Sequence, residues 1–171
     1  MIFDGLWKRE LQKLSFDISI WKSPIFFCEV GKHMLSRAVL YSATVLRKAI
    51  EDENEAEMIA KKYNCKLKGL KVKNCTVIAI KYPYITEEGW TVRGFLAPEN
   101  YGKGSEVQLN IKDVCNWLLH SYVWSIASDS EQKRYAGFLV ASDFDKEKFV
   151  HFISFEEWKK VLRFAIEKGV F

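Results

Sequence analysis

The sequence predicts an α+β fold, on three observations. The first third carries helical periodicity. The last third carries short alternating stretches between two amphipathic helices. The connections between those stretches are short enough for an antiparallel meander. A chain of 171 residues suits one domain. The expected domain covers residues 1–171, with a helical part over 1–64 and a mixed part over 70–171.

The helical part rests on two apolar stripes. Trp7, Leu11, Leu14, Ile18 and Trp21 recur at helical spacing. Ser23-Pro24 ends that helix and suits the start of the next, with Ser as N-cap and Pro at the first helical position. The second stripe runs through Phe27, Val30, Met34, Leu35, Ala38, Val39, Ser42, Val45, Leu46 and Ala49, and Gly31 is a place to bend or split it. The short connection predicts an antiparallel helical hairpin. Glu51, Asp52, Glu53, Glu55 and Glu57 then suit the start of a short helix ending near Tyr63. Lys61, Lys62, Lys66, Lys68, Lys71 and Lys73 follow as a basic run that reads as a solvated connector.

In the middle, Thr76–Tyr82 looks like a strand and Trp90–Leu96 like its partner, with Glu88-Gly89 in the turn. Pro83 and Pro98 point to an edge or a loop, and residues 100–105 read as loop. Asn110 is placed to cap a helix in which Ile111, Val114, Cys115 and Leu118 face inward. Strands are expected at Ser121–Ala127, Ala136–Ser142 and Lys148–Ile153. Ser154-Phe155-Glu156-Glu157 is a capping box. It opens a last helix with Phe155, Trp158, Val161, Leu162, Ala165 and Ile166 inside and Gly169 at its end.

Composition excludes several classes. Hydrophobic residues at 49% and charged residues at 28% rule out a disordered chain. The 15% of aromatic residues serve a ring-rich core or an exposed binding patch. A net charge of +4 is too mild to demand a nucleic-acid partner. Cys28, Cys65, Cys75 and Cys115 form no C-x-x-C, and with His33, His120 and His151 they make no zinc spacing. Free buried thiols, no metal and no cofactor are therefore expected. Charges within residues 4–13 break any secretory leader, and no apolar run reaches the ~20 residues of a membrane span. A cytoplasmic protein is the expectation.

The best candidate for chemistry is one helix. Asp113, Asn116 and His120 are spaced by three and four, so they share a stripe on which His120 would act as general base. The same three residues also have structural uses, at the helix N-terminus, in solvent and at the helix-to-strand junction. Ser121 lacks a nucleophile elbow. Gly102-Lys103-Gly104-Ser105 lacks phosphate-loop spacing. Asp143 and Asp145 suit a turn better than a cation site, and His151 suits one face of a strand.

The run Val114-Cys115-Asn116-Trp117-Leu118-Leu119-His120-Ser121 resembles the C-N-x-x-x-H-S segment of uncharacterised bacterial HEPN-like proteins. Residues 137–143 and 150–154 resemble the strands that follow it there. The resemblance covers about a third of the chain. It implies a shared helical scaffold and a ribonuclease in which a histidine moves a proton and an arginine, in R-x(4–6)-H, steadies phosphate charge. His120 matches the histidine. Cys115, Val114 and Asp113 occupy the arginine positions, which leaves Asn116 or a distant arginine as helper.

Three functions follow as expectations. The first is a non-catalytic binding or accessory protein of the defence or toxin-immunity type, with another protein as partner and Glu51–Glu57 as an acidic docking patch. The second is a HEPN-related ribonuclease with His120 as base. The third is an RNA-binding module using Lys61–Lys73.

Overall fold

The computed structural model describes residues 4–65, 72–83, 104–120, 124–129, 131–142 and 148–168. The α+β class is as expected, with four α-helices and a five-stranded antiparallel sheet among the described residues. Helix α1 (Asp4–Trp21) and helix α2 (Glu29–Lys62) form the hairpin. Leu11, Leu14 and Ile18 of α1 are buried against Leu35, Val39 and Leu46 of α2.

The start of α2 differs from expectation. Ser23-Pro24 opens only a single 3-10 turn, Pro24–Phe26, and Cys28 is the N-cap residue of α2. The turn is held from outside the hairpin. The Tyr135 hydroxyl donates to the Cys28 carbonyl at 2.7 Å, and the Phe27 and Tyr135 rings meet at 5.0 Å. Gly31 fits because a Cβ there would overlap the Phe26 carbonyl oxygen. No separate acidic helix exists. The helix runs unbroken for 34 residues, because Leu46, Ala49, Ile50, Glu53 and Ala60 continue its buried side past the acidic cluster.

Strand β1 (Thr76–Pro83) occurs as expected, but its neighbours were not legible. It pairs on one side with β2 (Ser105–Asn110) and on the other with β5 (Phe149–Ser154), both antiparallel. It is therefore an inner strand rather than an edge. Pro83 is tolerated because it is the last residue of the ladder. The expected partner at Trp90–Leu96 lies outside the described residues, as do Pro98 and Gly169. Strands β3 (Trp124–Asp129) and β4 (Arg134–Val140) complete the expected meander with β5, in the sheet order β2-β1-β5-β4-β3. At Gly137 a Cβ would overlap the Ile153 carbonyl oxygen across the ladder, so only glycine fits that close pairing.

Helix α3 (Ile111–His120) links β2 to β3, and helix α4 (Phe155–Lys168) closes the fold. Ser154 caps the helix, with the Glu157 amide donating to Ser154 Oγ at 3.2 Å, while the Glu157 carboxylate accepts from Lys160 Nζ. Helix α4 packs on α1 and across β1, β4 and β5, while α2 packs on α3. The core between helices and sheet centres on Trp158, Phe138 and Phe155, all fully buried. Phe138 meets Trp158 edge-on at 5.3 Å. Burying each phenylalanine contributes about 1.5–3 kcal/mol. Trp158 Nε1 donates to Ser42 Oγ at 2.8 Å, which ties α4 to α2. On the opposite face of the sheet Tyr82, Ala127, Leu139, Ala141 and Val150 form a second buried cluster. Among the described residues no helix is long and apolar enough to cross a membrane.

Candidate functional site

The site is built from the middle of α2 outward. Arg47 follows the buried pair Val45-Leu46, which sets the face of α2 it extends from. Its Nε donates to Glu51 Oε1 at 3.1 Å, one turn along the helix. Its Nη1 reaches α3, where it donates to Asn116 Oδ1 at 2.5 Å and lies 3.0 Å from His120 Nε2. A guanidinium has donors only. As a hydrogen bond this contact requires His120 Nε2 to accept, with the ring proton on Nδ1.

The placement of α3 has a traceable cause, and it also starts on α2. Glu53 is buried, and its carboxylate accepts the Val72 amide at 2.8 Å and the Lys73 amide at 3.1 Å. That fixes the 3-10 turn Val72–Asn74 onto α2. The end of this segment then fixes α3. The Ile111 amide donates to the Cys75 carbonyl at 3.0 Å, and Asn110 Nδ2 donates to the Lys73 carbonyl at 3.5 Å. Asn110 Oδ1 caps the helix by accepting the Lys112 amide at 2.8 Å. Further along α3, Trp117 stacks on the buried His151 ring at 5.3 Å. Carboxylate, turn and cap thus set the register that brings Asn116 and His120 opposite Arg47.

Of the three expected site residues the structure joins two. Asn116 and His120 converge on Arg47. Asp113 lies exposed in the first turn of α3 and is not part of the cluster. At 100° per residue Asn116 stands roughly 60° round the helix from Asp113, enough to turn it toward α2. Sequence reasoning missed Arg47, and placed Glu51 only in the acidic cluster. They look like an ordinary i, i+4 ion pair on a helix surface, and only the packing of α2 on α3 shows that Arg47 has other partners.

A cleft of ≈ 210 Å³ adjoins Arg47, lined by Arg47, Ile50, Glu51, Asn54, Lys112 and Cys115. Cys115 and Ile50 are buried. Burial pushes the Cys115 thiol up to about 12, so it contributes a neutral apolar surface rather than a nucleophile. The expected burial of all four thiols is corrected here: Cys28 and Cys65 are exposed and Cys75 is intermediate.

Four of the five acids of the Glu51–Glu57 cluster are engaged within the protein. Glu51 pairs with Arg47, Asp52 with Lys48 and Glu57 with Lys73, while Glu53 is buried. The basic run is divided as well. Lys61 and Lys62 end α2, and Lys73 Nζ bonds Glu57 Oε2 at 2.5 Å. Lys66, Lys68 and Lys71 lie outside the described residues, as do Ser121, Asp143 and Asp145. Among the described residues no group of three or more His, Cys, Asp or Glu side chains is placed to hold a metal ion. No protein-family model, curated protein or solved structure matches the chain.

Proposed function

We propose that this protein cleaves RNA by internal transfer of the phosphodiester, with His120 as general base and Arg47 as the phosphate-holding cation. The observation that carries this reading is the contact of one guanidinium nitrogen with both Asn116 and His120. The arginine absent from the helix of His120 is supplied from α2. The reaction needs two things at one point: a base for the ribose 2′-hydroxyl and a fixed cation for the charge that develops on phosphorus oxygens. A planar guanidinium suits phosphate better than an ammonium does.

The sequence of events follows from the hydrogen bonds. At rest Arg47 covers the Nε2 lone pair of His120. A phosphate competes for the guanidinium and leaves Nε2 open. Nε2 then takes the 2′-proton, the 2′-oxygen bonds to phosphorus, and the bond to the 5′-oxygen breaks. The leaving oxygen takes a proton from solvent water and the proton on His120 returns to solvent, giving a 2′,3′-cyclic phosphate and a 5′-hydroxyl. Asn116 positions Arg47 rather than touching the substrate. The test is cleavage of a single-stranded RNA by wild-type protein, His120→Ala and Arg47→Lys. A loss of about 10²–10⁴-fold in His120→Ala, and no rescue by lysine at 47, are expected. Equal cleavage by wild type and His120→Ala, or none by wild type, overturns the reading.

A second reading, an accessory protein that binds another protein, has its own support in the hairpin turn. Ile25 in the turn and Val30 in the first turn of α2 are 82% and 63% exposed, two apolar side chains available to a partner surface. Substituting both by Ser should abolish co-purification of a partner without changing the melting temperature; unchanged co-purification removes this reading.

A further inference from the structure

We propose that the last turns of α2 form an interface with a second copy of this chain, the two helices running antiparallel about a two-fold axis between Met58 and Ile59. The 72–74 turn covers one side of this end of the helix. Glu53 and Ala60 are buried on that side, and Glu53 holds the turn through its two amide bonds. At 100° per residue the opposite side carries Glu55, Met58, Ile59 and Lys62 within about 100° of arc, with Tyr63 beside them. All five are exposed, Met58 at 72%, Ile59 at 52% and Tyr63 at 67%. The three apolar side chains adjoin one another, unlike apolar residues scattered singly over a surface. Their spacing is that of a helix face that meets another helix.

The charges identify the occupant. Glu55 has Glu51 and Asp52 a turn before it and Met58 and Ile59 a turn after it. Lys62 has the same two apolar residues a turn before it. Neither charge therefore meets an opposite one along its own helix. Neither forms an ion pair among the described residues. Lys48, on the same side of the helix as Glu55, is committed to Asp52, and Lys62 Nζ lies over the Tyr63 ring at 5.7 Å. Glu55 and Lys62 stand equally far from the axis, on either side of it. The two-fold thus sets Glu55 against Lys62 of the second copy, and Lys62 against its Glu55. It sets Met58-Ile59 against the same pair. A patch that complements itself is what a two-fold interface requires. Parallel helices would set glutamate on glutamate and lysine on lysine. The helix of the second copy ends at Lys62, opposite Glu55, about 12 Å short of Arg47 along α2. Few side chains take part, so the association belongs with weak, small interfaces.

Sedimentation velocity of the full chain over about 1 μM to 1 mM tests the interface. The sedimentation coefficient of wild type should rise with concentration toward that of a dimer. Glu55→Lys alone and Lys62→Glu alone each bring like charges together twice, and each should weaken association at least about tenfold. An equimolar mixture of these two variants should associate again, since one stripe is then wholly basic and the other wholly acidic. A chain carrying both reversals should associate as wild type does. Met58→Ser with Ile59→Ser, at exposed positions, should abolish association and leave the melting temperature unchanged. Wild type that stays monomeric throughout, association that neither the charge reversals nor the serine pair weakens, or a mixture that stays monomeric overturns the proposal.

Discussion

Glu53 carries a test of how the site is positioned. Its carboxylate is 5% exposed and accepts two backbone amides, at 2.8 and 3.1 Å. Hydrogen bonds to a charged group contribute about 1.5–3 kcal/mol each. Glu53→Ala leaves the Val72 and Lys73 amides without that acceptor in a partly closed site, so the loss should be about 3–5 kcal/mol. That is a large share of the ~5–15 kcal/mol that holds a domain together. At about 2–4 °C per kcal/mol for a chain of this length, the melting temperature should fall by roughly 6–20 °C. Glu53→Gln keeps one acceptor and turns a donor toward the second amide, so it should lose about half as much or more. Urea unfolding followed by circular dichroism gives both numbers. A second readout separates position from stability. Because Val72–Asn74 sets α3, Glu53→Gln at a temperature where it stays folded should shift the imidazole resonances of His120, which itself has no contact with Glu53. A Glu53→Gln protein within about 0.5 kcal/mol of wild type, the usual range for an unimportant surface substitution, would refute the role given to this carboxylate.

Three further outcomes follow from the same contacts. Ser42→Ala orphans the buried Trp158 indole N–H, 2.8 Å from Ser42 Oγ, and should cost about 1–3 kcal/mol; in a double-mutant cycle with Trp158→Phe the two losses should be less than additive by about 1 kcal/mol, and strict additivity would disprove the coupling. Cys115 at about 12 is one part thiolate in about 10⁴ at pH 8, and it is fully buried. A disulfide reagent at that pH should therefore modify the exposed Cys28 and Cys65 quickly and Cys115 only on unfolding. Lys22, hydrogen-bonded to Glu156, holds that carboxyl below its ordinary range. A depressed folded-state value stabilises above the unfolded value and stops doing so as pH falls through the folded one. At side-chain exposures of 29% and 62% the pair is worth under about 1 kcal/mol. Glu156→Gln should thus trail wild type slightly at pH 7, and the gap should close in acid.

What was legible in the sequence was local. Each helix was marked by its own stripe, and Ser154 with Glu157 marked the start of α4, because those signals come from residues within a turn of one another. Strands of the meander were legible for the same reason, with Trp124 and Ile126, then Phe138 and Val140, alternating toward one core. Strand β2 carried a usable signal, since Val107 and Leu109 alternate with Glu106 and Gln108. It is short, follows a glycine-bearing stretch, and competes with the more apolar run at Trp90–Leu96. The beginning of α2 was misplaced because Ser-Pro is a good helix start in isolation. The Tyr135 bond to Cys28, which fixes the true start, comes from 107 residues away.

The candidate site divides along the same line. Spacing alone found Asn116 and His120, and it found Asp113 equally, since a stripe says which residues share a side and not which neighbour that side meets. The deciding contact is with Arg47, 69 and 73 residues earlier in the chain. Nothing near Arg47 distinguishes it from Lys48, its neighbour, which pairs with Asp52 just as Arg47 pairs with Glu51. The difference between them is about 100° of helix rotation, which points one cation at α3. That rotation is fixed by which residues of α2 are buried, and the facing helix is fixed by Glu53 through the turn it caps. A missing local motif is therefore weak evidence against a site, because the fold can supply the absent charge from any element whose packing brings it within about 3 Å.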